Sequence, residues 1–351
     1  MKAARLSPSG GVTLEEVEAP DAGAGEVVVD LAACGVCGTD LEKLRGNYRT
    51  QGKLGHEPVG RIAKVGTGVS DLAVGDRVFV HHHVPCLACD ICRRGDLTFC
   101  ASYARSNIDP GGFAERFRVP RENVARGAVL RLDPAVTWET GALLEPTACA
   151  MTALRRVGFS AGDSIFLVGL GPVGLLYARL ARSLGAGWVG GAELSEGRRR
   201  AAEAGGADLV LDPRGPEPVE ARVRAETGGR GVDLAVVATG APAAVRLATQ
   251  VARRGGTLNL FGLPERGSRL EADLQELYLS GVRVIPTYAT TERDIADVHG
   301  LIARRRLDLS GLVSHRLPLS RIDEAFRTAG DPGAALKVIV TGPAFSPGPA
   351  D

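Results

Sequence analysis

The spacing of apolar residues changes near residue 160 of this 351-residue chain. Before that point, short apolar runs rich in β-branched residues alternate with glycine and proline, a pattern typical of strands joined by turns. We predict strands at 27–31, 59–65 and 76–80. The first part of the chain is therefore expected to be rich in β-structure.

Beyond residue 160, apolar runs alternate with amphipathic helical patterns, of which 172–184 and 241–254 are the clearest. Six strands joined by helical crossovers predict an α/β fold with a doubly wound parallel sheet. The predicted strands cover 165–168, 188–192, 208–211, 233–238, 256–261 and 282–286. After residue 290 we predict two more helices, at 294–305 and 321–329, and a last strand at 336–340.

Composition narrows the possible functions. With 44% hydrophobic and 24% charged residues, the chain can build a substantial core and is not a disordered protein. Its 42 basic and 41 acidic residues give a formal charge of +1, which offers no long-range field for nucleic acid or an anionic membrane. No uncharged run reaches the length of a membrane span, and residues 1–5 lack the apolar core of a secretory signal. We therefore expect a cytoplasmic protein.

A glycine-rich turn follows the first strand of the α/β region and opens its first helix. It fits the pattern G-x-G-x-x-G with the residues Gly169-Leu170-Gly171-Pro172-Val173-Gly174. The first glycine permits the tight turn, the second lets the backbone approach a pyrophosphate, and the third lets the helix pack closely on the strand. Because the helix N-terminus favours an anion, this context predicts a dinucleotide-binding site.

Glu193 ends the next predicted strand, 19 residues after Gly174 (193 − 174). A carboxylate at this position can accept hydrogen bonds from both ribose hydroxyls and repels a 2′-phosphate, so it favours NAD over NADP. NADP stays open as an alternative, because Ser195, Arg198 and Arg199 could hold a phosphate if Glu193 turned away. An ordinary glycine-rich turn followed by an exposed glutamate is the remaining alternative.

Four cysteines fall within fifteen residues: Cys86, Cys89, Cys92 and Cys100. Thiolates this close would repel each other or oxidise unless a cation neutralised them. Tetrahedral Zn²⁺ does so, and a shell of four cysteines leaves no position for a substrate. We therefore predict a structural zinc that stabilises a lobe at 85–101 too small for its own core. An iron–sulfur cluster is the alternative, although the spacing suits it less well.

Outside that lobe, Cys37, His56 and Glu145 are candidate ligands for a second metal. A cysteine, a histidine and a carboxylate with one position left open make a reasonable catalytic zinc site. These three residues are far apart in sequence. Each alone is more often a buried thiol, a core histidine or a surface acid, so their pattern is not sufficient by itself.

The order of the motifs carries more information than any one of them. C-G-V-C-G-T-D at 34–40, G-H-E at 55–57, the four-cysteine lobe, E-P at 145–146 and G-L-G-P-V-G resemble the zinc-dependent medium-chain alcohol dehydrogenases over nearly the whole chain. The acidic E-P is similar to the polyol (sorbitol-like) and threonine dehydrogenase branch. The resemblance implies a GroES-like catalytic domain at 1–147, a Rossmann domain at 148–288 and a return to the catalytic domain at 289–351, with substrate in the cleft between them.

The resemblance also implies roles for single residues. Cys37, His56 and Glu145 would bind the catalytic zinc, and Glu57 would be an alternating or outer ligand. Thr39 would hydrogen-bond the substrate oxygen, and Asp40 would orient His56. Residues implied to line the nicotinamide pocket are Phe261, Gly262, Leu263 and Thr287.

Two features of the sequence stay open. Many relatives carry a histidine that ends a proton relay three residues after the threonine, where this chain has Glu42. His81, His82 and His83 do not predict a metal site, because successive side chains of a strand alternate between faces. We interpret them as loop residues, with the rim of the cleft as the alternative for His83.

We predict a zinc-dependent dehydrogenase that transfers hydride between NAD, with NADP possible, and a polyol, sugar alcohol or other secondary alcohol. It would bind two zinc ions per chain, form a homotetramer or homodimer, and bind neither nucleic acid nor membrane. A threonine-type 3-hydroxy amino acid dehydrogenase is the alternative, for which Arg45 or Arg49 could hold the substrate carboxylate. A nucleotide-binding redox sensor without turnover is a further alternative, disfavoured because Cys37 and His56 are present.

Overall fold

The structure is a computed structural model that describes residues 1–7, 10–48, 52–264, 266–269, 273–333 and 335–346. The chain divides into two compact units. The first unit comprises Met1–Ala148, Thr290–Arg305 and Leu309–Asp351, and the second comprises Cys149–Ala289 and Arg306–Asp308. Arg49, a candidate carboxylate partner, lies outside the described residues.

The first part of the chain forms mainly short strands. They are β1 (Lys2–Leu6), β2 (Val12–Glu16), β3 (Val27–Gly35), β4 (Pro58–Val65), β5 (Arg77–Val80), β6 (Arg116–Val119) and β7 (Val129–Arg131). The helices of this part are α1 (Gly38–Leu44), α2 (Asp90–Arg93), α3 (Ala101–Arg105), α4 (Arg121–Ala125), α5 (Trp138–Gly141) and α6 (Leu144–Val157).

Strands and helices alternate in the second unit. They are β8 (Ser164–Val168), α7 (Pro172–Ser183), β9 (Trp188–Ala192), α8 (Glu196–Ala204), β10 (Leu209–Leu211), α9 (Val219–Glu226), β11 (Val232–Val237), α10 (Pro242–Val251), β12 (Ala252–Leu260), α11 (Leu274–Ser280) and β13 (Arg283–Pro286). The chain then returns to the first unit through α12 (Glu292–Ala303), β14 (Val313–Pro318), α13 (Ile322–Gly330) and β15 (Lys337–Thr341).

Strand β3 organises the main sheet of the first unit, whose order is β14-β15-β3-β4-β5-β7 with β6 also paired to β3. Val27, Val29 and Leu31 are fully buried in the core of this unit. In the antiparallel pair β3–β4, Cys34 lies opposite Pro58. Residues that follow β3 and residues that precede β4 are therefore neighbours in space although their sequence positions are distant.

The second unit contains one parallel sheet in the order β10-β9-β8-β11-β12-β13. This is the doubly wound arrangement, and it confirms the predicted α/β fold. All six predicted strands are present. The chain order reverses between β8 and β11, which is where such sheets bind nucleotides at the carboxyl ends of their strands.

The predicted helix at 241–254 was too long. Helix α10 ends at Val251, and the chain enters β12 at Ala252 without an intervening glycine or proline. No residue with a special backbone preference marks this boundary, so the predicted helix extended over the first residues of the strand. Among the described residues, no helix combines the length and apolar character needed to cross a bilayer.

Asp233, near the start of β11, forms hydrogen bonds with residues of the two neighbouring strands, β8 and β12. Its Oδ2 accepts hydrogen bonds from Ser164 Oγ (2.6 Å) and Ser164 N (2.9 Å), and its Oδ1 accepts one from Arg253 Nε (2.6 Å). Burial alone would raise the pKa of Asp233, but these hydrogen bonds lower it to about 2. A group with a lowered pKa stabilises the fold above its unfolded pKa and loses that contribution as the pH falls through the folded pKa.

We predict that Asp233→Asn lowers the free energy of unfolding by about 2 kcal/mol at neutral pH, because hydrogen bonds to a charged acceptor are lost. The difference from the wild type should shrink below about pH 4 as the wild-type carboxylate becomes protonated. Urea titrations at several pH values measure this. Asp163→Asn, in the exposed turn before β8, is the control and should have little effect. A difference of the same size at pH 7 and pH 3 would contradict the prediction.

Candidate active site

Two chain segments of the first unit meet at the end of the β3–β4 pair. Cys37 follows β3 and caps the N-terminus of α1 in an extended conformation. His56 and Glu57 immediately precede β4. The strand register brings these residues together, and one ligand atom from each of Cys37, His56 and Glu57 lies within 4.8 Å of the others. We call these three residues the donor cluster.

Asp40 lies behind the donor cluster and is fully buried. Its Oδ2 accepts a hydrogen bond from Cys37 N (3.3 Å), and its Oδ1 accepts one from Gly55 N (3.4 Å). The same Oδ1 lies 3.3 Å from His56 Nδ1, and Lys43 Nζ approaches it to 3.5 Å. One carboxylate thus contacts both segments that carry the cluster and leaves His56 Nε2 as the remaining ring nitrogen.

The electrostatics of the cluster follow from this burial. Burial alone would raise the pKa of Asp40, but the charges of His56 and Lys43 and the hydrogen bonds to the carboxylate together hold that pKa below its usual range. Burial alone would lower the pKa of His56, but the charges of Asp40 and Cys37 raise it well above its usual value. Opposite charges thus stabilise each other at a largely buried position.

Glu57 is paired with a lysine from the other end of the chain. Lys337 Nζ in β15 donates a hydrogen bond of 2.7 Å to Glu57 Oε1 and lies 2.6 Å from Oε2. The side chains of Lys337 and Glu57 are only 3% and 0% exposed. Burial alone would lower the pKa of Lys337, but the carboxylate raises it above its usual value. Burial raises the pKa of Glu57 while Lys337 opposes this effect, so a charged carboxylate here depends on the ion pair.

Gly35, the last residue of β3, provides the space for this ion pair. A Cβ atom at Gly35 would lie 1.7 Å from Glu57 Oε2 and 2.8 Å from Lys337 Cε. Both contacts are too short for any real side chain, so the pair requires glycine here. Sequence reasoning missed Lys337, although a lysine within a predicted apolar strand was a signal that a buried partner exists.

The donor set fits a zinc ion. Thiolate, imidazole and carboxylate are the ligands that Zn²⁺ takes in proteins. Glu57 Oε2 is buried and makes no hydrogen bond within the described part of the chain, although Lys337 lies close to it. An acceptor of this kind, beside a sulfur and an imidazole, is suited to coordinate a cation.

Other predicted residues lie around the donor cluster. Glu145 is buried in the first turn of α6, and its charge acts on Glu57 and Lys337, but it is outside the group of three mutually close donors. Thr39 is the second residue of α1. Glu42 accepts hydrogen bonds from Arg45 Nη1 (2.6 Å) and Asn47 Nδ2 (2.8 Å). The relay role of Glu42 stays a prediction.

The three consecutive histidines follow the end of β5 rather than lying within it, so the argument from strand alternation does not apply to them. The His82 ring lies 5.2 Å from the His56 ring, measured between centroids. His82 Nδ1 has no hydrogen-bond partner among the described residues. Burial lowers the pKa of His82 well below its usual value, so its imidazole is neutral. Sequence reasoning missed this polar group beside the donor cluster.

The four cysteines of the lobe converge. Cys86 Sγ lies 3.9 Å from Cys92 Sγ, and Cys89 Sγ lies 3.8 Å from Cys100 Sγ. A tetrahedral ion with Zn–S bonds of about 2.3 Å separates its sulfurs by about 3.8 Å. Backbone N–H groups of Ala88 and Cys89 donate to Cys86 Sγ and lower the pKa of that thiol. The geometry suits a closed zinc site.

The glycine-rich turn lies after β8 in the second unit, with Gly171 capping α7 and Pro172 in its first turn. A Cβ at Gly174 would lie 2.2 Å from Gly169 O, so close packing of helix on strand requires this glycine. At Gly171 the nearest atom, Arg198 Nη1, would be 3.5 Å away, an ordinary contact. Protein packing thus leaves space beside Gly171, at the helix N-terminus where a pyrophosphate would bind.

Glu193 follows β9 and is nearly buried. Its Oε2 accepts a hydrogen bond from Leu170 N (2.8 Å), and its Oε1 accepts one from Ser195 N (3.0 Å). Arg199 Nη1 donates to Glu193 O at 2.8 Å. The carboxylate is therefore held against the glycine-rich turn.

The residues predicted to line the nicotinamide pocket follow the carboxyl ends of β12 and β13. Phe261 N and Gly262 N donate to Val237 O at the end of β11, at 3.1 and 2.8 Å. Thr287 Oγ1 accepts a hydrogen bond from Asn259 Nδ2 (3.1 Å). Leu263 is 44% exposed. These residues thus share the edge of the sheet that carries the glycine-rich turn.

Comparison with known proteins follows the same division of the chain. Residues 23–128 match the alcohol dehydrogenase GroES-like domain, and residues 172–304 match the zinc-binding dehydrogenase family. The L-threonine 3-dehydrogenase of Symbiobacterium thermophilum is 32% identical over an alignment of 355 positions, gaps included, that covers 97% of this chain and 97% of that protein. The chain belongs to the zinc-dependent medium-chain alcohol dehydrogenases.

Two further relatives lie within this family. The sorbitol dehydrogenase of Gallus gallus is 30% identical over 345 residues, covering 95% of this chain and 94% of that protein. The structure of a zinc-binding dehydrogenase from Sinorhizobium meliloti 1021 bound to NADP has a TM-score of 0.84 and 29% identity, and the match covers 97% of this chain and 98% of that one. The predicted family, its polyol and threonine branch and its GroES-like and Rossmann folds are confirmed. This dehydrogenase is accordingly an oxidoreductase that uses zinc and a nicotinamide dinucleotide.

We predict that Lys337→Met destabilises this dehydrogenase by about 3 kcal/mol, because it leaves the Glu57 carboxylate buried without its cation. Adding Glu57→Gln should recover part of the loss, since a neutral amide replaces the uncompensated charge. Urea unfolding in zinc-containing buffer measures the effect.

Arg316→Met in the neighbouring strand β14 is the matched control. Arg316 pairs with Glu139, but its side chain is 48% exposed, so the substitution should cost less than about 1 kcal/mol. Equal losses in the two variants would contradict the assigned importance of the buried pair.

Proposed function

We propose that this dehydrogenase oxidises a secondary alcohol that carries further polar groups, such as a polyol or sugar alcohol, and passes the hydride to NAD. The observation that carries the proposal is the donor cluster, in which ligand atoms of Cys37, His56 and Glu57 lie within 4.8 Å of one another. The names of the relatives agree with it, since sorbitol dehydrogenases are among them. Threonine 3-dehydrogenases also fit this general chemistry.

Cys37 and His56 would hold the catalytic zinc, with Glu57 or Glu145 as the carboxylate ligand. Zinc supplies Lewis acidity there, which favours loss of the proton from the substrate hydroxyl. Asp40 Oδ1 lies 3.3 Å from His56 Nδ1 and would orient the His56 ring for metal binding. Thr39, two residues after Cys37, would hydrogen-bond the substrate oxygen.

The neutral imidazole of His82 supports a polar substrate. It lies beside His56 with an unpartnered nitrogen within the described structure. A buried polar atom favours a ligand that can hydrogen-bond to it and disfavours one that cannot. A second hydroxyl next to the reacting carbon would satisfy His82, whereas a simple alkyl alcohol would not.

A 3-hydroxy amino acid such as threonine is the second candidate, favoured by the identity with threonine 3-dehydrogenases. Such a substrate needs a cation for its carboxylate. Arg45, one candidate, is already paired with Glu42 at 2.6 Å. This pairing makes the polyol the first proposal and the amino acid the second.

NAD would bind at the glycine-rich turn of the second unit, with its pyrophosphate at the N-terminus of α7 and its adenosine ribose at Glu193. Phe261, Gly262, Leu263 and Thr287 would surround the nicotinamide. Glu193 supports NAD because a fixed carboxylate repels a 2′-phosphate. The structure of the Sinorhizobium meliloti relative contains bound NADP, so the test below uses NADP as well as NAD.

The test is a panel of polyols, simple secondary alcohols and threonine, each assayed with NAD and with NADP by absorbance of the reduced nicotinamide. We expect turnover with NAD and at least one polyol. Turnover of threonine alone would favour the second candidate. Absence of turnover with every substrate would contradict the proposal.

We further predict that Cys37→Ser lowers turnover at least about a hundredfold. Mutation of residues that only hydrogen-bond a metal ligand already lowers activity by up to about a hundredfold, and Cys37 is a proposed ligand itself. Elemental analysis should then find one zinc per chain instead of two, with the remaining ion held by the cysteine lobe. Cys34→Ala is the matched control, because Cys34 is fully buried three residues away but outside the donor cluster. It should retain both ions. If the Cys37→Ser variant still bound two zinc ions per chain, Cys37 would not be a zinc ligand.

We propose that the protein is a homodimer or homotetramer assembled through the edge of its parallel sheet. Strand β13 ends that sheet, and the nearby helix α11 exposes Leu274, Tyr278 and Leu279 at 78%, 85% and 58%. An open strand edge beside exposed apolar side chains favours association with a second copy.

Light scattering should give the mass of two or four chains for the wild type and a smaller mass for Tyr278→Glu. Val74→Glu, at a residue 66% exposed in the first unit, should leave the mass unchanged. A monomeric wild type would contradict the proposal.

We also propose a cytoplasmic location, because binding of zinc by four thiolates is favoured in a reducing compartment. Cell fractionation that recovered the protein only outside the cytoplasm would contradict it.

A further inference from the structure

Four charged side chains gather at the carboxyl ends of two neighbouring strands in the second unit. Glu193 follows β9, and Asp212 follows β10. Arg199 comes from helix α8, and Arg214 lies two residues after Asp212. These four residues form what we call the ribose-side cluster, because Glu193 is the residue proposed to bind the adenosine ribose.

Asp212 holds both arginines of this cluster. Arg214 binds it in a bidentate manner, with Nε 2.9 Å from Oδ1 and Nη2 2.7 Å from Oδ2. Arg199 Nη1 lies 3.1 Å from the same Oδ2. The hydrogen bonds from Arg214 hold the pKa of Asp212 below its usual range, so this carboxylate is charged at neutral pH.

Both guanidinium groups also lie against the turn that carries Glu193. Arg199 Nη1 donates to Glu193 O (2.8 Å) and Leu194 O (2.7 Å). Arg214 Nη2 donates to Leu194 O (2.9 Å). The two cations are therefore next to the proposed ribose position, and Arg199 Nη1, Arg214 Nε and Arg214 Nη2 are engaged by Asp212 and by backbone carbonyls.

This arrangement differs from an ordinary surface ion pair. On the same helix, Arg200 and Glu196 are both 72% exposed and approach only to 3.5 Å. In contrast, Asp212 and Arg199 are 27% and 19% exposed and share a network with Arg214. Arg198, also on α8, approaches the turn proposed for the pyrophosphate, where its Nη1 would be 3.5 Å from a Cβ atom at Gly171.

The charge balance of the ribose-side cluster affects how a 2′-phosphate would be received. Two carboxylates and two guanidinium groups sum to zero. A 2′-phosphate carries close to two negative charges, and arginine is the side chain best suited to bind it with two hydrogen bonds. Such a phosphate would have to compete with Asp212 for Arg199 and Arg214 and would also meet the carboxylate of Glu193.

We infer that Asp212 is a specificity-determining residue for the dinucleotide, because it occupies the two arginines that would otherwise bind a 2′-phosphate. Glu193 and Asp212 then act together: Glu193 repels the phosphate directly, and Asp212 withholds the cations that would attract it. The inference rests on the proposed function, since it concerns how the dinucleotide is chosen at that site.

The test measures binding of the adenosine half alone. Isothermal titration calorimetry of the full chain with 5′-AMP and with adenosine 2′,5′-bisphosphate gives the ratio of the two affinities without any turnover. In Asp212→Asn the ribose-side cluster gains a net charge of +1. We expect its relative affinity for the bisphosphate to rise about fivefold or more, with the same direction for NADP against NAD.

Two further variants make the result specific. Asp208→Asn is the matched control, because Asp208 lies at the opposite end of β10, where it pairs with Arg182 and accepts a hydrogen bond from Val189 N (2.7 Å). It should leave the ratio unchanged. Arg214→Ala changes a residue that is 65% exposed, so it should fold even if Asp212→Asn does not. It makes the cluster negative and should lower the relative affinity for the bisphosphate about threefold.

An unchanged ratio in both Asp212→Asn and Arg214→Ala would overturn the inference. A rise of the same size in Asp208→Asn would also overturn it, since the effect would then follow net charge alone. If the wild type bound neither NAD nor 5′-AMP, the proposed function would fail together with the inference. If both bind and only the ratio is unaffected by the variants, the inference alone fails.

Discussion

The buried carboxylate of Asp40 is the contact on which the donor cluster depends. It accepts hydrogen bonds from Cys37 N after β3 and from Gly55 N before β4, and it lies against His56 Nδ1. A charged group without access to water is costly unless all its partners are present. Asp40 therefore connects the segment that carries Cys37 to the segment that carries His56. If either segment moved, the buried carboxylate of Asp40 would lose a partner.

A second buried interaction extends this dependence to the end of the chain. Glu57 and Lys337 are separated by 280 positions and form a hydrogen-bonded ion pair. Lys337 reaches Glu57 because β15 pairs with β3, where Ile339 lies opposite Gly35. Strand β15 thus supports the donor cluster through the contact of Lys337 with Glu57, although it adds no ligand. An apolar core of similar volume could be as stable. The buried ion pair is therefore better explained by the position that it gives to Glu57 than by its contribution to stability.

Much of this could be predicted from the sequence, for physical reasons. Parallel strands covered on both faces are continuous apolar runs, so the six strands of the second unit stood out. The glycine-rich turn and the four cysteines have fixed local spacing, which makes them readable without knowledge of the fold. The boundary between α10 and β12 was missed because no residue with special backbone preferences marks it.

The parts that sequence could not predict depend on strand register and on side-chain direction. Glu57 rather than Glu145 joins Cys37 and His56 within the short distance because Glu57 immediately precedes β4. The approach of His82 to His56 and the pairing of Lys337 with Glu57 are also tertiary contacts without a local signal. The contact of Asp212 with Arg199 shows the same limit, since Arg199 comes from helix α8.

The most direct test of the account is X-ray diffraction from crystals of the wild-type protein, recorded on both sides of the zinc absorption edge. The account predicts two anomalous peaks per chain. One should lie among the four cysteines of the lobe, and the other about 2.0–2.3 Å from Cys37 Sγ and a His56 ring nitrogen. A single peak confined to the lobe in zinc-replete crystals would contradict the central claim that Cys37, His56 and a carboxylate hold a catalytic metal.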